Sequence, residues 1–170
     1  GFIALISGNH PDSNIAITGW SLGGGTTLLS GWFPLINAIN PANRFAAHLA
    51  YYPPCVVEPT ELSFSDAPIH ILIGEDDDWT PASACVSLVE AAKKIRKNID
   101  ITVFEDSHHS FDSNLEITNI ENGYSLTDCM FKLRDDGTLL LNFLNLPVTS
   151  PYLQKIALGI CAKRGTTIGG

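Results

Sequence analysis

Three clusters of side chains in this 170-residue sequence could cooperate in acyl chemistry. They are a serine within Gly19-Trp20-Ser21-Leu22-Gly23, a carboxylate run at Asp76-Asp77-Asp78, and the pair His108-His109. A serine hydroxyl is a poor nucleophile until an imidazole takes its proton, and the same imidazole can return that proton to a leaving group. A carboxylate behind the ring fixes its tautomer and stabilises the imidazolium. The pentapeptide around Ser21 fits G-x-S-x-G, in which serine sits on a strained turn from strand to helix with its hydroxyl exposed. Flanking glycines relieve the crowding of such a turn. The backbone N–H of Leu22, at the helix start, would face an oxyanion. The carboxylate run lacks the alternating ligands of a calcium loop, so no metal is expected.

These residues must be brought together by the elements around them. Ile15–Thr18 reads as a short buried strand running into the turn, and residues from Gly23 to about Asn37 read as a helix interrupted at Gly31 or Pro34. Phe45–Tyr52 is a second apolar strand, stopped by Pro53-Pro54, and His48 within it reads as a core residue. The stretch from Cys55 to Asp66 is a polar connection without a period. Ile69–Ile73 is a third strand, almost continuously apolar as in a sheet covered on both faces. Pro81 opens a helix with Val86, Leu88, Val89, Ala92 and Ile95 on one side, and its basic end suits the helix dipole. Ile99–Glu105 is the fourth strand. Before all of these, Gly1–Ser7 fits the tail of a helix and Gly8–Asn14 a loop.

Strands alternating with helices indicate a parallel sheet with right-handed crossovers. Catalytic groups in such sheets collect beyond the carboxyl ends of the strands. Ser21, the Asp76–Asp78 run and His108-His109 each follow a predicted strand. The order Ser, Asp, His is that of the α/β-hydrolase arrangement.

Composition narrows the partners. Acidic residues outnumber Lys and Arg by 18 to 10, giving a net charge of −8 that would repel nucleic acid and anionic membranes. No apolar run is long enough to span a bilayer. No cofactor is implied. Four cysteines, Cys55, Cys85, Cys129 and Cys161, match no zinc spacing; from their number alone they fit either buried thiols or two bridges.

The segment from about Asn14 to Phe111 resembles the C-terminal half of a dienelactone hydrolase family protein. The resemblance lies in ITGWSLGG around Ser21, AYYPPC at Ala50–Cys55, ILIGEDDDWTPASAC at Ile71–Cys85 and FEDSHHSFD at Phe104–Asp112. It implies Asp77 as the acid, since Gly74, Asp77 and Pro81 match the family's G-x-x-D-x-x-x-P run, with Asp78 as the alternative. It implies His109 as the base, because a small residue and a Phe follow it. The dienelactone-cleaving members carry Cys in the elbow, whereas Ser21 is similar to esterase-type members. The activity implied is hydrolysis of a small ester or lactone through an acyl-serine. A peptidase-like hydrolase and a non-catalytic binding module on the same scaffold are the alternatives. Trp20 and Trp79 are candidates for a pocket wall or for covering the elbow.

The implied fold is an α/β-hydrolase-type parallel sheet flanked by helices. It would have further strands and an oxyanion loop before the elbow strand, which this sequence lacks. Residues 1–112 would form the C-terminal half of that core. Residues 113–170 would form an extension packed on the same domain: short strands at Leu115–Ile120 and Met130–Leu133, a turn at Asp135-Asp136-Gly137, a return strand at Thr138–Leu141, and a helix from Ser150-Pro151 to about Lys163, closed by Arg164-Gly165. Secreted members resemble this region, with one Cys before the hairpin and one in the helix. That resemblance implies Cys129 paired with Cys161, leaving Cys55 with Cys85, and a secreted or periplasmic location.

Overall fold

The computed structural model describes residues 3–7, 15–141 and 145–169, with the backbone alone for 3–7 and 165–168. The loop expected at 8–14 lies outside the described residues. The elements in chain order begin with β1 (Ile3–Ser7), β2 (Ile15–Trp20), α1 (Leu22–Leu29), α2 (Phe33–Ile39), β3 (Ala47–Tyr51), β4 (Val57–Pro59), β5 (Ile69–Gly74), α3 (Ala82–Lys94) and β6 (Ile99–Phe104). They continue with β7 (Thr118–Ser125), β8 (Phe131–Leu133), β9 (Leu139–Leu141), β10 (Leu146–Pro147), α4 (Pro151–Cys161) and β11 (Lys163–Gly169).

The main sheet has the order β1-β2-β3-β5-β6, with β2, β3, β5 and β6 parallel. Each crossover steps the same way across the sheet, so its right-handedness sets α1 and α3 on one face. Ile69, Ile71 and Ile73 of β5 are buried in one cluster with Leu28 of α1 and Leu88 and Val89 of α3. His70 and Leu72, which alternate with them, are half-buried. Proline near the start of α2 and the break at Ser30–Trp32 account for the interruption expected in that helix.

Two expectations are corrected at the ends. Residues 3–7 are a strand, not a helix tail: Ile3–Ser7 pairs antiparallel with Ile15–Gly19. The row of backbone groups along the open edge of β2 needs partners, and a returning strand supplies them together. At the other end, the last helix stops at Cys161, and Lys163–Gly169 pairs antiparallel with β7 in place of a closing turn. The strand expected at 115–120 accordingly lies later, at Thr118–Ser125.

A second sheet has the order β10-β9-β8-β4 and joins the hairpin strands to the connection after β3. Its strand β4 falls in the connection where no strand was expected, pairing parallel with β8. Three residues are too few to show a period. The hairpin turns at Gly137, where φ is 82°, and the Asp136 carboxylate accepts the Thr138 N–H at 2.9 Å. Two disulfides, Cys55–Cys85 and Cys129–Cys161, join residues 30 and 32 positions apart and are the pairings the resemblance implied. They are compatible with an extracellular or periplasmic location. Among the described residues, no helix is long and apolar enough to cross a membrane.

His48 is a core residue, 3% exposed, on the helix side of β3. Its Nδ1 lies 3.0 Å from Ser30 Oγ and 3.2 Å from the Thr27 carbonyl, while Nε2 is buried without a hydrogen-bond partner among the described residues. Burial holds its pKa below the ordinary histidine value, opposed in part by the bond to Thr27. Above about pH 6.5 the imidazole is neutral in both folded and unfolded chains, so its contribution is intact there. As pH falls from there toward the lowered folded value, only the unfolded chain gains the proton and stability is lost, by at most about 1.4 kcal/mol per pH unit. Denaturant unfolding at pH 7.5 and 5.5 should therefore show a smaller difference for His48→Asn than for the wild type; equal differences would contradict this account.

Candidate active site

Ser21 follows β2 directly and is the N-cap of α1. Its φ of 55° and ψ of −118° put a non-glycine residue in a strained region of backbone space. The turn is held by the Ser21 N–H donating to the Tyr51 carbonyl at 3.0 Å, and by the Gly25 N–H donating to the Ser21 carbonyl at 3.0 Å. Glycine is required on both sides for space: a Cβ at Gly19 would overlap the Gly23 carbonyl, and one at Gly24 would overlap the carbonyl of Tyr51. Leu22 is the first residue of α1, so its N–H has no acceptor within the helix.

Asp77 lies in the loop after β5, with only 4% of its surface exposed. Such a carboxylate needs donors, and four are arranged around it. The backbone N–H groups of Trp79 and Thr80 donate to Oδ1 at 2.9 and 2.8 Å, and Thr80 Oγ1 donates to Oδ2 at 2.9 Å. The fourth is His109 Nδ1, 2.8 Å from Oδ2. An acidic acceptor at Nδ1 places the ring proton there, which leaves Nε2 as an acceptor. Nε2 lies 3.2 Å from Ser21 Oγ.

The ring of His109, 4% exposed, is fixed between two aromatics. Trp79 stacks on it with centroids 4.9 Å apart and planes 7° from parallel; Tyr52 packs at 4.5 Å, tilted by 57°. The Asp77 and His109 loops are themselves joined, since the Asp76 N–H donates to the Ser107 carbonyl at 2.9 Å. His108 turns elsewhere, with Nδ1 3.2 Å from the Asp76 carbonyl. Of the carboxylate run, Asp77 is the residue brought to the imidazole. Ser21, Asp77 and His109, expected from different parts of the sequence, thus meet in one hydrogen-bonded chain.

Trp79 forms a wall behind His109, while Trp20 stacks on Tyr51 at 5.2 Å. A cavity of about 480 Å³ lies at the other end of β2, between α1, α2 and the 40–45 loop, and neither tryptophan lines it. Cys55–Cys85 links the loop after Tyr52 to α3, the helix that follows Asp77 and Thr80.

Residues 5–126 match the dienelactone hydrolase family. The chain belongs to that family. Among solved structures, this dienelactone hydrolase family chain is similar to the apo form of Thermogutta terrifontis esterase 2, at 18% identity and a TM-score of 0.45, over 56% of this chain and 46% of that one. A Klebsiella pneumoniae protein described as a dienelactone hydrolase matches at 25% identity and a TM-score of 0.42, over 57% and 41% of the two chains. Esterase PE8 matches at 17% and 0.44, over 56% and 42%. The family member described here thus spans less than half the length of these structures. No curated protein matches it.

Sequence reasoning overlooked Thr80 and Tyr52. Thr80 had a local signal, because an Asp followed three residues later by Thr is a pattern in which a side chain satisfies nearby backbone donors. Tyr52 had none: its contact with His109 exists only once β3 and β6 have been placed. Its φ of 35° is again left-handed, and burial, aided by a hydrogen bond to Asp112, pushes its phenol above the ordinary tyrosine range. Thr80 Oγ1 lies 2.9 Å from Asp77 Oδ2 and 3.2 Å from the Tyr52 carbonyl, so it joins two strand-end loops. Thr80→Val should lower unfolding free energy by about 1–3 kcal/mol, because it leaves a buried oxygen short of a donor, and Thr80→Ser should recover most of that loss. Urea titrations of both variants check this.

Proposed function

We propose that this chain carries the catalytic centre of a serine hydrolase that cleaves small carboxylic esters or lactones by acyl transfer to Ser21. The observation carrying the reading is the hydrogen-bonded chain from Ser21 Oγ to His109 Nε2 at 3.2 Å and from His109 Nδ1 to Asp77 Oδ2 at 2.8 Å. In this reading Ser21 Oγ attacks the acyl carbon while Nε2 takes its proton. The buried Asp77 carboxylate stabilises the resulting imidazolium and holds the ring in the tautomer the reaction needs. Negative charge developing on the carbonyl oxygen is met by the Leu22 N–H, aided by the positive end of α1. Collapse of the intermediate passes the proton from His109 to the leaving alkoxide. Water, activated by the same imidazole, then releases the acid and restores Ser21.

Ester and lactone share this course; in a lactone the leaving alkoxide stays tethered to the acyl group. The serine, in place of the cysteine of dienelactone-cleaving relatives, supports an esterase-type substrate. The two disulfides support action in an oxidising compartment.

Hydrolysis of short-chain p-nitrophenyl esters by the full chain tests the reading. Ser21→Ala and His109→Ala should each abolish turnover above background, and Asp77→Asn should lower kcat on the order of 10⁴-fold. His108→Ala should change it less than threefold. A folded protein without Ser21-dependent hydrolysis of any ester or lactone would support a binding module on the same scaffold instead.

A further inference from the structure

The loop that carries His109 continues through Phe111 and Asp112, and Asp112 has no part in the hydrogen-bonded chain of the catalytic centre. Its carboxylate nevertheless spans the site. Oδ2 accepts the indole N–H of Trp20 at 2.6 Å, and Oδ1 accepts the Tyr52 hydroxyl at 2.9 Å. Trp20 is the residue immediately before Ser21. Tyr52 packs on the His109 ring at 4.5 Å. One side chain therefore ties the last residue of β2, the first residue after β3 and the loop after β6. Phe111 lies under the same contacts, packing against Tyr51, Tyr52 and Phe104 at centroid distances of 6.5, 5.8 and 4.7 Å.

We propose that Asp112 is a positioning residue that sets the approach of His109 to Ser21 by fastening the base loop to the nucleophile turn. The proposal rests on the reading of Ser21 and His109 as nucleophile and base. The need for such a fastening lies in the sheet. Asp77 and His109 are joined by a 2.8 Å bond and by the backbone contact between their loops, whereas Ser21 and His109 come from strands separated by β3 and β5 and meet at 3.2 Å. A proton passes efficiently only when donor and acceptor are held within hydrogen-bond reach, and a displacement of about 1 Å can cost on the order of a hundredfold in rate. Both bonds have a charged acceptor, which makes them shorter and stronger than neutral ones.

The chemistry of the two donors separates geometry from charge. Asparagine at this position can accept the indole N–H through its oxygen and donate to the Tyr52 oxygen through its amide, so it keeps the span and loses the charge. Alanine loses both.

The test is kcat per active site, with active sites counted by stoichiometric fluorophosphonate titration, for wild type, Asp112→Ala, Asp112→Asn, Trp20→Phe and the double variant Asp112→Ala/Trp20→Phe. Asp112→Ala should lower kcat about 10- to 100-fold with KM changed less than threefold, Asp112→Asn should stay within about fivefold of wild type, and the double variant should be no slower than Asp112→Ala. Unchanged kcat per titrated site in Asp112→Ala, with only fewer titratable sites or a lower melting temperature, would reduce the residue to a structural tie and overturn the proposal. Equal losses in Asp112→Ala and Asp112→Asn would overturn it in favour of a role for the charge. A wild-type protein that takes up no fluorophosphonate at Ser21 would overturn the hydrolase reading itself, and the positioning role with it.

Discussion

The constraint on which the site depends is the backbone of Ser21. Its left-handed φ exists because the Ser21 N–H is held to the Tyr51 carbonyl of the neighbouring strand while the helix begins at once at Leu22. That turn sets the hydroxyl 3.2 Å from His109 Nε2 and leaves the first helical N–H without an acceptor in the helix. It also fixes the sequence around it, because side chains at Gly19 and Gly24 would collide with backbone carbonyls. Strain of about 1–3 kcal/mol at such a residue persists only where the surroundings over-determine it. Here they do, through a parallel sheet on one side and a helix packed across β2 and β3 on the other. Left-handed residues recur just after β3, at Tyr52, and in the loop after β6, at Asp106 and Ser110.

A second constraint follows from the first. With the hydroxyl fixed, the His109 imidazole must be brought to it across two intervening strands, and no regular element does this. Loops do, and they are made stiff by unlike means. The Asp77 loop is wound around its own carboxylate by donors from Trp79 and Thr80. The His109 ring is pressed between Trp79 and Tyr52. The Cys55–Cys85 bridge joins the segments that carry these packing residues. Local hydrogen bonding, aromatic packing and a covalent link thus hold three loops that the sheet only brings near one another.

Much of this was legible in the sequence because the informative features are local. G-x-S-x-G declares its own turn, apolar runs of strand length declare β2, β3, β5 and β6, and Pro81 marks the start of α3. Ser, Asp and His then fall at strand ends by simple counting along a parallel sheet. Choosing Asp77 over its neighbours, and His109 over His108, needed the family's spacing, since adjacent residues of one type are indistinguishable by composition. The features that escaped are those set by partners distant in the chain. β4 is too short to have a period and exists because Phe131–Leu133 lies beside it. β1 and β11 are strands because β2 and β7 offer open edges. The burial of Ile69–Ile73 is alternate where the sequence suggested continuous cover, since both crossover helices fall on one face.

The central claim is that Ser21 is a nucleophile activated by His109, and a covalent trap tests it without reference to any substrate. Fluorophosphonate treatment of the full chain, followed by proteolysis and mass mapping, should place one phosphonyl group on the peptide containing Ser21, and the adduct should be lost when His109 is replaced by Ala. An adduct on another residue, or none in a protein shown to be folded, would contradict the account.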